Sequence, residues 1–355
     1  MTIKEVARLA GVSSAAVSRY LNGGPLSKEK REKIARAIEE TGYKPNLMAK
    51  TMRTGKVRQI GIIVPRIFSE SVNQVMEGIS EELLDMDYLT LLGYSDTRRD
   101  RELQYLEMME SNRVAGIILM ATTLSDIKKL SLKNCSVPLV ITGQNFDSLP
   151  CVYHDDRNGV REMTSLMIRK GRRRIAYIGV FEEDKAAGAR RREGMEDAIR
   201  EAGLDPESVP RRIADFSAES GYEAMMGLLG ECPDLDGVMC ATDVIAHGAM
   251  KALKEKGRRI PEDVSIAGVG DNWADVVSEP PLSTVRLYQR QCGAEAARML
   301  LRLIGDTGTA PLSTDAGDTR AVLLSPGSDC REGISDIPDT EHIMLGYRII
   351  DRKSI

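Results

Sequence analysis

Histidine is scarce in this sequence: three residues in 355, scattered at His154, His247 and His342. The six cysteines, at 135, 151, 232, 240, 292 and 330, form no C-x-x-C pair. These two absences argue against a metal-ligand cluster and against a disulfide framework, leaving reduced thiols as the expectation. Aromatic residues make up only 4% of the chain, with a single Trp, so any core must be built from Val, Ile, Leu, Ala and Met. No stretch approaches the roughly 20 apolar residues that cross a bilayer, and no apolar signal region precedes the first charges. Catalytic signatures are missing too: there is no G-x-S-x-G, P-loop or G-x-G-x-x-G, and Gly268-Val-Gly270 lacks the third glycine. The expectation is a cytoplasmic protein that is not an enzyme and uses no cofactor or metal.

What is present is unevenly distributed. Residues 1–58 carry 13 Lys and Arg against five Asp and Glu, net +8, while the rest carries 36 against 48, net −12. A small basic head on an acidic body suits contact with phosphate by the head alone. The length suggests two or three domains with a sizeable core.

The head reads as three short helices. Thr2-Ile-Lys-Glu5 fits a capping box, so a helix starts at Ile3; Val6, Ala7, Leu9 and Ala10 give it an apolar side and Gly11 ends it. Val12 plugs the core, Ser13 is an N-cap, and Ser14 to Leu21 form a second helix. Ser27 caps a third, running to about Glu40 and stopped by Gly42, with Ile34, Ala35 and Ile38 inward. Two short helices joined around a Gly are the helix-turn-helix pattern. On the second helix Val17 and Leu21 face the core, which leaves Ser14, Ala15, Ser18 and Arg19 outward: small residues that let a backbone approach the major groove, and an Arg able to hold a base edge or phosphate. After Pro45, the run Leu47 to Arg53 has helix-forming residues but is too short to be stable alone, and reads as a hinge.

The ordered run Ile3-Lys-Glu-Val-Ala-x-x-Ala-Gly-Val-Ser-x-x-x-Val-Ser-Arg-x-Leu-Asn22, followed by Ser27, Arg31, Ile34, Tyr43, Pro45, Asn46 and Ala49, resembles the DNA-binding head of the LacI/GalR family of bacterial transcriptional regulators. The resemblance implies that Ser14 and Ala15 read operator bases and that Ser13, Ser18, Arg19, Asn22, Ser27 and Asn46 contact or support the backbone, with Thr2 and Ala49 on the same side. The resemblance places Ala16 in the same DNA-contacting set, at a position where the family more often has Thr. It further implies that two hinge helices from a homodimer enter the minor groove, with Met52 as the wedge between base pairs and Lys50 and Arg53 adding phosphate charge.

From residue 59 short apolar runs alternate with amphipathic spacing. Ile60–Val64, Tyr88–Tyr94, Val114–Leu119 and Leu139–Thr142 read as buried parallel strands, with helices over 71–86 and 99–112. A second series follows: strand 175–180, helix 187–202, strand near 209–213, helix 218–230, strand 237–241, helix 243–256 and strand 264–269. Such alternation predicts an α/β body of two doubly wound parallel-sheet subdomains. The body also resembles the family's effector domain, which has the periplasmic-binding-protein fold; its marks include Gly171-x-Arg173-Arg174-Ile175, Arg191-x-x-Gly194 and Pro261-x-Asp263-Val264-Ser265. The organisation expected is a helix-turn-helix domain over 1–45, a hinge over 46–58, an effector and dimerisation domain over 59–335 with chain crossings near 155–160, 285 and 318, and a tail over 336–355 that lacks a coiled-coil heptad.

Ligands in doubly wound sheets bind beyond the carboxyl ends of strands. That places Ser69, Ser71, Gln144, Thr242, Asp243, Asp271 and Asn272 as candidates, although an Asp just after a strand, such as Asp243, Asp155 or Asp156, also suits a helix cap. The resemblance adds Arg191 as a holder of hydroxyls or carboxylates and Phe216 as a stacking aromatic. It also implies that Thr242 and Gly270 stand where many members have Asn and Asp, with neighbouring Asp271 as the replacement carboxylate. Trp273 lies beside the cleft. The function expected is a sequence-specific repressor on a near-palindromic operator, regulated by a small metabolite of the sugar or phosphosugar class. A corepressor or protein partner that strengthens binding, and a sugar-binding protein without a DNA role, are the alternatives.

Overall fold

The computed structural model describes residues 2–21, 24–43, 57–84, 86–123, 132, 134–306 and 341–355. The chain divides into two compact units, Met1–Arg58 and Gln59–Ile355.

The first unit holds α1 (Ile3–Leu9), α2 (Ser14–Leu21) and α3 (Lys28–Thr41). The capping box forms as its spacing dictates: the Glu5 amide donates to Thr2 Oγ1 and the Thr2 amide to Glu5 Oε2. Gly11 and Gly42 take the left-handed conformation at φ of 62° and 59°, ending α1 and α3. Val6, Ala7, Ala10, Ala16, Val17, Ile34 and Ala37 form the core. Three expectations are corrected by this packing. Leu9 is 50% exposed rather than part of the apolar side; Ala37, not Ala35, turns inward, because with Ile34 it keeps the three-residue step of the buried stripe; and Ser27 occupies the N-cap position of α3 without a side-chain cap bond, its carbonyl accepting from Arg31 instead.

Among the described residues the second unit contains two six-stranded sheets. The first is built from β1 (Gln59–Val64), β2 (Leu89–Tyr94), β3 (Gly116–Met120), β4 (Leu139–Thr142), β5 (Cys151–His154) and β11 (His342–Leu345), ordered β11-β5-β4-β3-β1-β2 and parallel throughout. The second is built from β6 (Ile175–Gly179), β7 (Arg211–Ile213), β8 (Gly237–Cys240), β9 (Ser265–Gly270), β10 (Ser283–Leu287) and β12 (Tyr347–Ile350), ordered β12-β10-β9-β8-β6-β7, with only β12 antiparallel. Helices α4 (Glu70–Leu84), α5 (Arg99–Ser111) and α11 (Gln289–Leu303) cover the first sheet. The second is covered by α6 (Asp156–Arg169), α7 (Arg191–Glu201), α8 (Ala218–Glu231) and α9 (Asp243–Glu255), and α10 (Trp273–Val277) follows β9. Strand alternation sorts the first core: Ile60, Ile62 and Val64 pack on α4 and α11, while Ile63 packs with Leu106 and Met109 of α5.

The chain crosses between the sheets at Asp155, near Tyr288, and at Gly346 between β11 and β12. The crossing expected near 318 lies outside the described residues. One boundary is corrected: the described residues after 335 are not a tail apart from the body, since 342–345 add an edge strand to one sheet and 347–350 an edge strand to the other. Buried Ser354 then ties the chain end to the second sheet, its hydroxyl donating to the Ile266 carbonyl and accepting from the Ser283 amide.

Candidate functional site

In the first unit the candidate surface is the leading edge of α2. Ser13 Oγ accepts from the Ala16 amide at 3.2 Å, which fixes the first turn. Val17 is fully buried, so the helix presents Ser13, Ser14, Ala15 and Arg19 to solvent, with Ser18 half-buried between them. Ala16 is the exception among the residues assigned to this face: it packs in the three-helix core one step behind Ala15. Asn22, Asn46, Ala49, Lys50 and Met52, with the hinge as far as residue 56, lie outside the described residues.

In the second unit, loops after the carboxyl ends of strands in both sheets enclose a cavity of about 240 Å³. Arg66, Ser69 and Ser71 follow β1, Thr122 follows β3, and His154 and Asp156 stand at the first crossing. Asp184, Arg191, Phe216, Thr242 and Asn272 come from the second subdomain. A π-helical turn over Lys185–Arg190 precedes α7, with Asp184 capping it through the Ala187 amide. The wider winding sets Arg191, the first residue of α7, into the wall. Arg191 is buried; its Nε and Nη2 both donate to Asp156 Oδ1, at 2.8 and 2.7 Å, and its Nη1 donates to the Ala241 carbonyl at 2.5 Å.

Burial pushes the Asp184 carboxyl up to about 6, with the Ala187 amide and Arg191 pulling the other way. Burial also holds His154 below the usual imidazole value, so its ring is neutral at pH 7. Among the described residues His154 Nε2 and Thr142 Oγ1, both in cavity-lining residues, are buried without a hydrogen-bond partner. Buried polar atoms of this kind are costly unless something supplies the missing bonds.

Of the ligand candidates, Ser69, Ser71, Arg191, Phe216 and Thr242 line the cavity. Gln144, Asp243 and Asp271 do not, and the reasons are local. Gln144 is buried behind the wall, its Nε2 donating to the Thr122 carbonyl and, at 2.9 Å, to Asp184 Oδ1 across the two subdomains. Asp243, fully buried, accepts from the Thr284 hydroxyl and the Asp271 amide, both at 2.6 Å. Its carboxylate fills the space a side chain at 270 would need: a Cβ on Gly270 would meet Asp243 Oδ2 at 2.5 Å, and φ there is +152°. The carboxylate missing at 270 is not replaced by Asp271, which at φ 64° turns away to pair with Arg286 and Arg352. Trp273 is 71% exposed on α10 and lies outside the lining.

Sequence reasoning missed Arg66, His154 and Asp184. The rule that found Ser69, namely polar groups just past a strand end, reaches Arg66 and Asp184 as well; only the folded loops separate lining residues from neighbours.

Comparison with known proteins gives two domain matches: a model described as bacterial regulatory proteins, lacI family, over residues 2–46, and a periplasmic binding protein-like domain over residues 164–321. The chain is 36% identical over 311 residues to the HTH-type transcriptional regulator RegA of Clostridium saccharobutylicum, covering 85% of this chain and 92% of that protein. Among solved structures it is similar to the transcriptional regulator CelR in complex with cellobiose, with a TM-score of 0.70, 26% identity and full coverage of both chains. The fold is also shared with the lac repressor dimer bound to operator and the anti-inducer ONPF, with a TM-score of 0.84, 21% identity, and coverage of 100% of this chain and 98% of that one.

Proposed function

This chain belongs to the lacI family of bacterial regulatory proteins, and we propose that it is a sequence-specific transcriptional repressor acting in the bacterial cytoplasm. A homodimer binds a near-palindromic operator, and a carbohydrate in the cleft between the two sheets weakens that binding. The observation that carries the DNA role is the edge of α2, where small residues and Arg19 are exposed while Val17 anchors the helix. The CelR complex, a relative whose cellobiose is named with it, supports a sugar as effector, and the orphaned His154 and Thr142 atoms of the cavity wall suit its hydroxyls. Coupling between two such sites is worth typically about 1–3 kcal/mol. The hinge would transmit it by folding only over DNA, since a helix of that length is marginal alone. The protein works by binding, not by catalysis, consistent with relatives that are regulators.

Gel shifts on a library of duplexes test the reading. Arg19→Ala should abolish the retarded complex while ligand binding in the body persists, and unchanged shifts would remove α2 as the reading helix. Titrating sugars into the preformed complex fixes the sign: release supports an inducer, tightening a corepressor.

A further inference from the structure

The cavity contains two guanidinium groups in different circumstances. Arg191 is committed: Nε, Nη1 and Nη2 all donate to protein oxygens, and its charge is offset by Asp156. Arg66, half-buried in the loop after β1, has no carboxylate ion pair among the described residues. Its guanidinium carbon instead lies 3.6 Å above the Phe216 ring centroid. The carboxylates that feel its charge are already engaged. Asp215 accepts from the Ser217 amide and the Ser220 hydroxyl, which holds it below the usual carboxylate range; Asp184 accepts from Gln144 and Ala187. Glu70, the remaining acid of the lining, accepts from the Trp273 amide at 3.4 Å. A half-buried cation stacked on an aromatic face keeps its in-plane N–H groups free for an anion that can accept from two of them, a carboxylate or a phosphate. Burial pulls the Arg66 pKa down, the direction expected of a charge without a full partner. Around it the lining offers neutral groups: the hydroxyls of Ser69, Ser71, Thr122 and Thr242 and the amides of Asn272 and Gln289.

We propose that the effector is a carbohydrate bearing one anionic group, a carboxylate or a phosphate, and that Arg66 is the residue that binds that group while the hydroxyl and amide lining takes the sugar. This deepens, and rests on, the reading of the cleft as a sugar-effector site. It also changes the part played by Phe216. One face of its ring is taken by Arg66 and an edge-to-face contact with Phe181 holds it at 5.6 Å between centroids, so Phe216 orients the guanidinium rather than stacking on the sugar.

The test uses the full chain and matched sets: glucose, glucuronate and glucose 6-phosphate, then galactose, galacturonate and galactose 6-phosphate, with acetate and inorganic phosphate as controls. Calorimetry and release of a labelled operator are read for the wild type, Arg66→Gln and Arg66→Lys. An acid or phosphate should bind about ten-fold or more tightly than its neutral parent, the span of one charge-assisted hydrogen bond. That preference should weaken with salt, vanish in Arg66→Gln and persist in part in Arg66→Lys; which acid wins separates carboxylate from phosphate. A neutral sugar that releases operator equally from wild type and Arg66→Gln overturns this inference and leaves the sugar-effector reading standing. Acetate or phosphate binding as well as the sugar acids overturns it too. Should no carbohydrate bind or release operator, the underlying reading falls and this one with it. The wild-type preference and its salt dependence decide the matter even if Arg66→Gln folds poorly.

Discussion

The pair formed by Arg191 and Asp156 shows how a single residue serves both the fold and the site. Both are buried, and the guanidinium ties α6 to α7 and to the end of β8. Removing one member of a buried pair leaves the other charge without compensation, at a cost of about 3–5 kcal/mol. Arg191→Met should therefore lower body stability by that amount as well as silence the ligand response, and adding Asp156→Asn should recover part of it in chemical denaturation. Equal stability of the single variant and wild type would show the pair to be solvated. Asp184 supplies a pH dependence of opposite character. Its folded pKa, about 6, lies above the ordinary carboxylate value, so its ionisation opposes folding: the penalty is absent below about pH 4, grows to about pH 6 and is constant above. Asp184→Asn keeps an acceptor for Gln144 and Ala187 and should stabilise the body by up to about 3 kcal/mol at pH 7, at 1.36 kcal/mol per pKa unit. The gain should fade towards pH 4 in urea melts across that range; a pH-independent difference would contradict this origin.

Among elements, the last fifteen residues have an influence their length conceals. Two four-residue strands close one edge of each sheet and carry the chain from one sheet to the other at Gly346. Ser354, fully buried, connects the Ile266 carbonyl to the Ser283 amide. In Ser354→Ala both backbone groups lose their partner, which costs about 1–3 kcal/mol for a buried unsatisfied group. Thermal denaturation of the full chain should show a drop of several degrees confined to the transition of the body; an unaltered melting temperature would mean that water replaces the hydroxyl. The second element of interest is the π-helical turn before α7. A plain α-helical reading of 187–202 gets the helix right and its first turn wrong, because the turn is set by the Asp184 cap rather than by side-chain periodicity.

At the scale of the molecule, the charge division is the property most open to measurement. The head carries net +8 and the remainder net −12, so electrostatic attraction to a duplex resides in the first 58 residues. If a dimer neutralises 6–10 phosphates, operator affinity should fall by about 10³–10⁵ between roughly 50 and 200 mM salt. Fluorescence anisotropy on a labelled operator reads this slope directly. An affinity indifferent to salt would exclude the phosphate contacts on which the DNA role depends.

The sequence by itself determined the three helices of the head, the alternation that builds two parallel sheets, and the family, because caps, glycine stops and hydrophobic period are interactions between residues a few positions apart. What only the tertiary structure decided is which polar residue beyond each strand end enters the cavity. Asp271 is drawn away by Arg352, 81 residues later; Asp243 is held by Thr284, 41 residues later; Arg66 meets Phe216 only once the two subdomains face each other. The edge strands were hidden for the same reason. A four-residue strand such as His342–Leu345 carries almost no period of its own, and its place beside Cys151–His154 is fixed by a backbone ladder that local sequence does not encode.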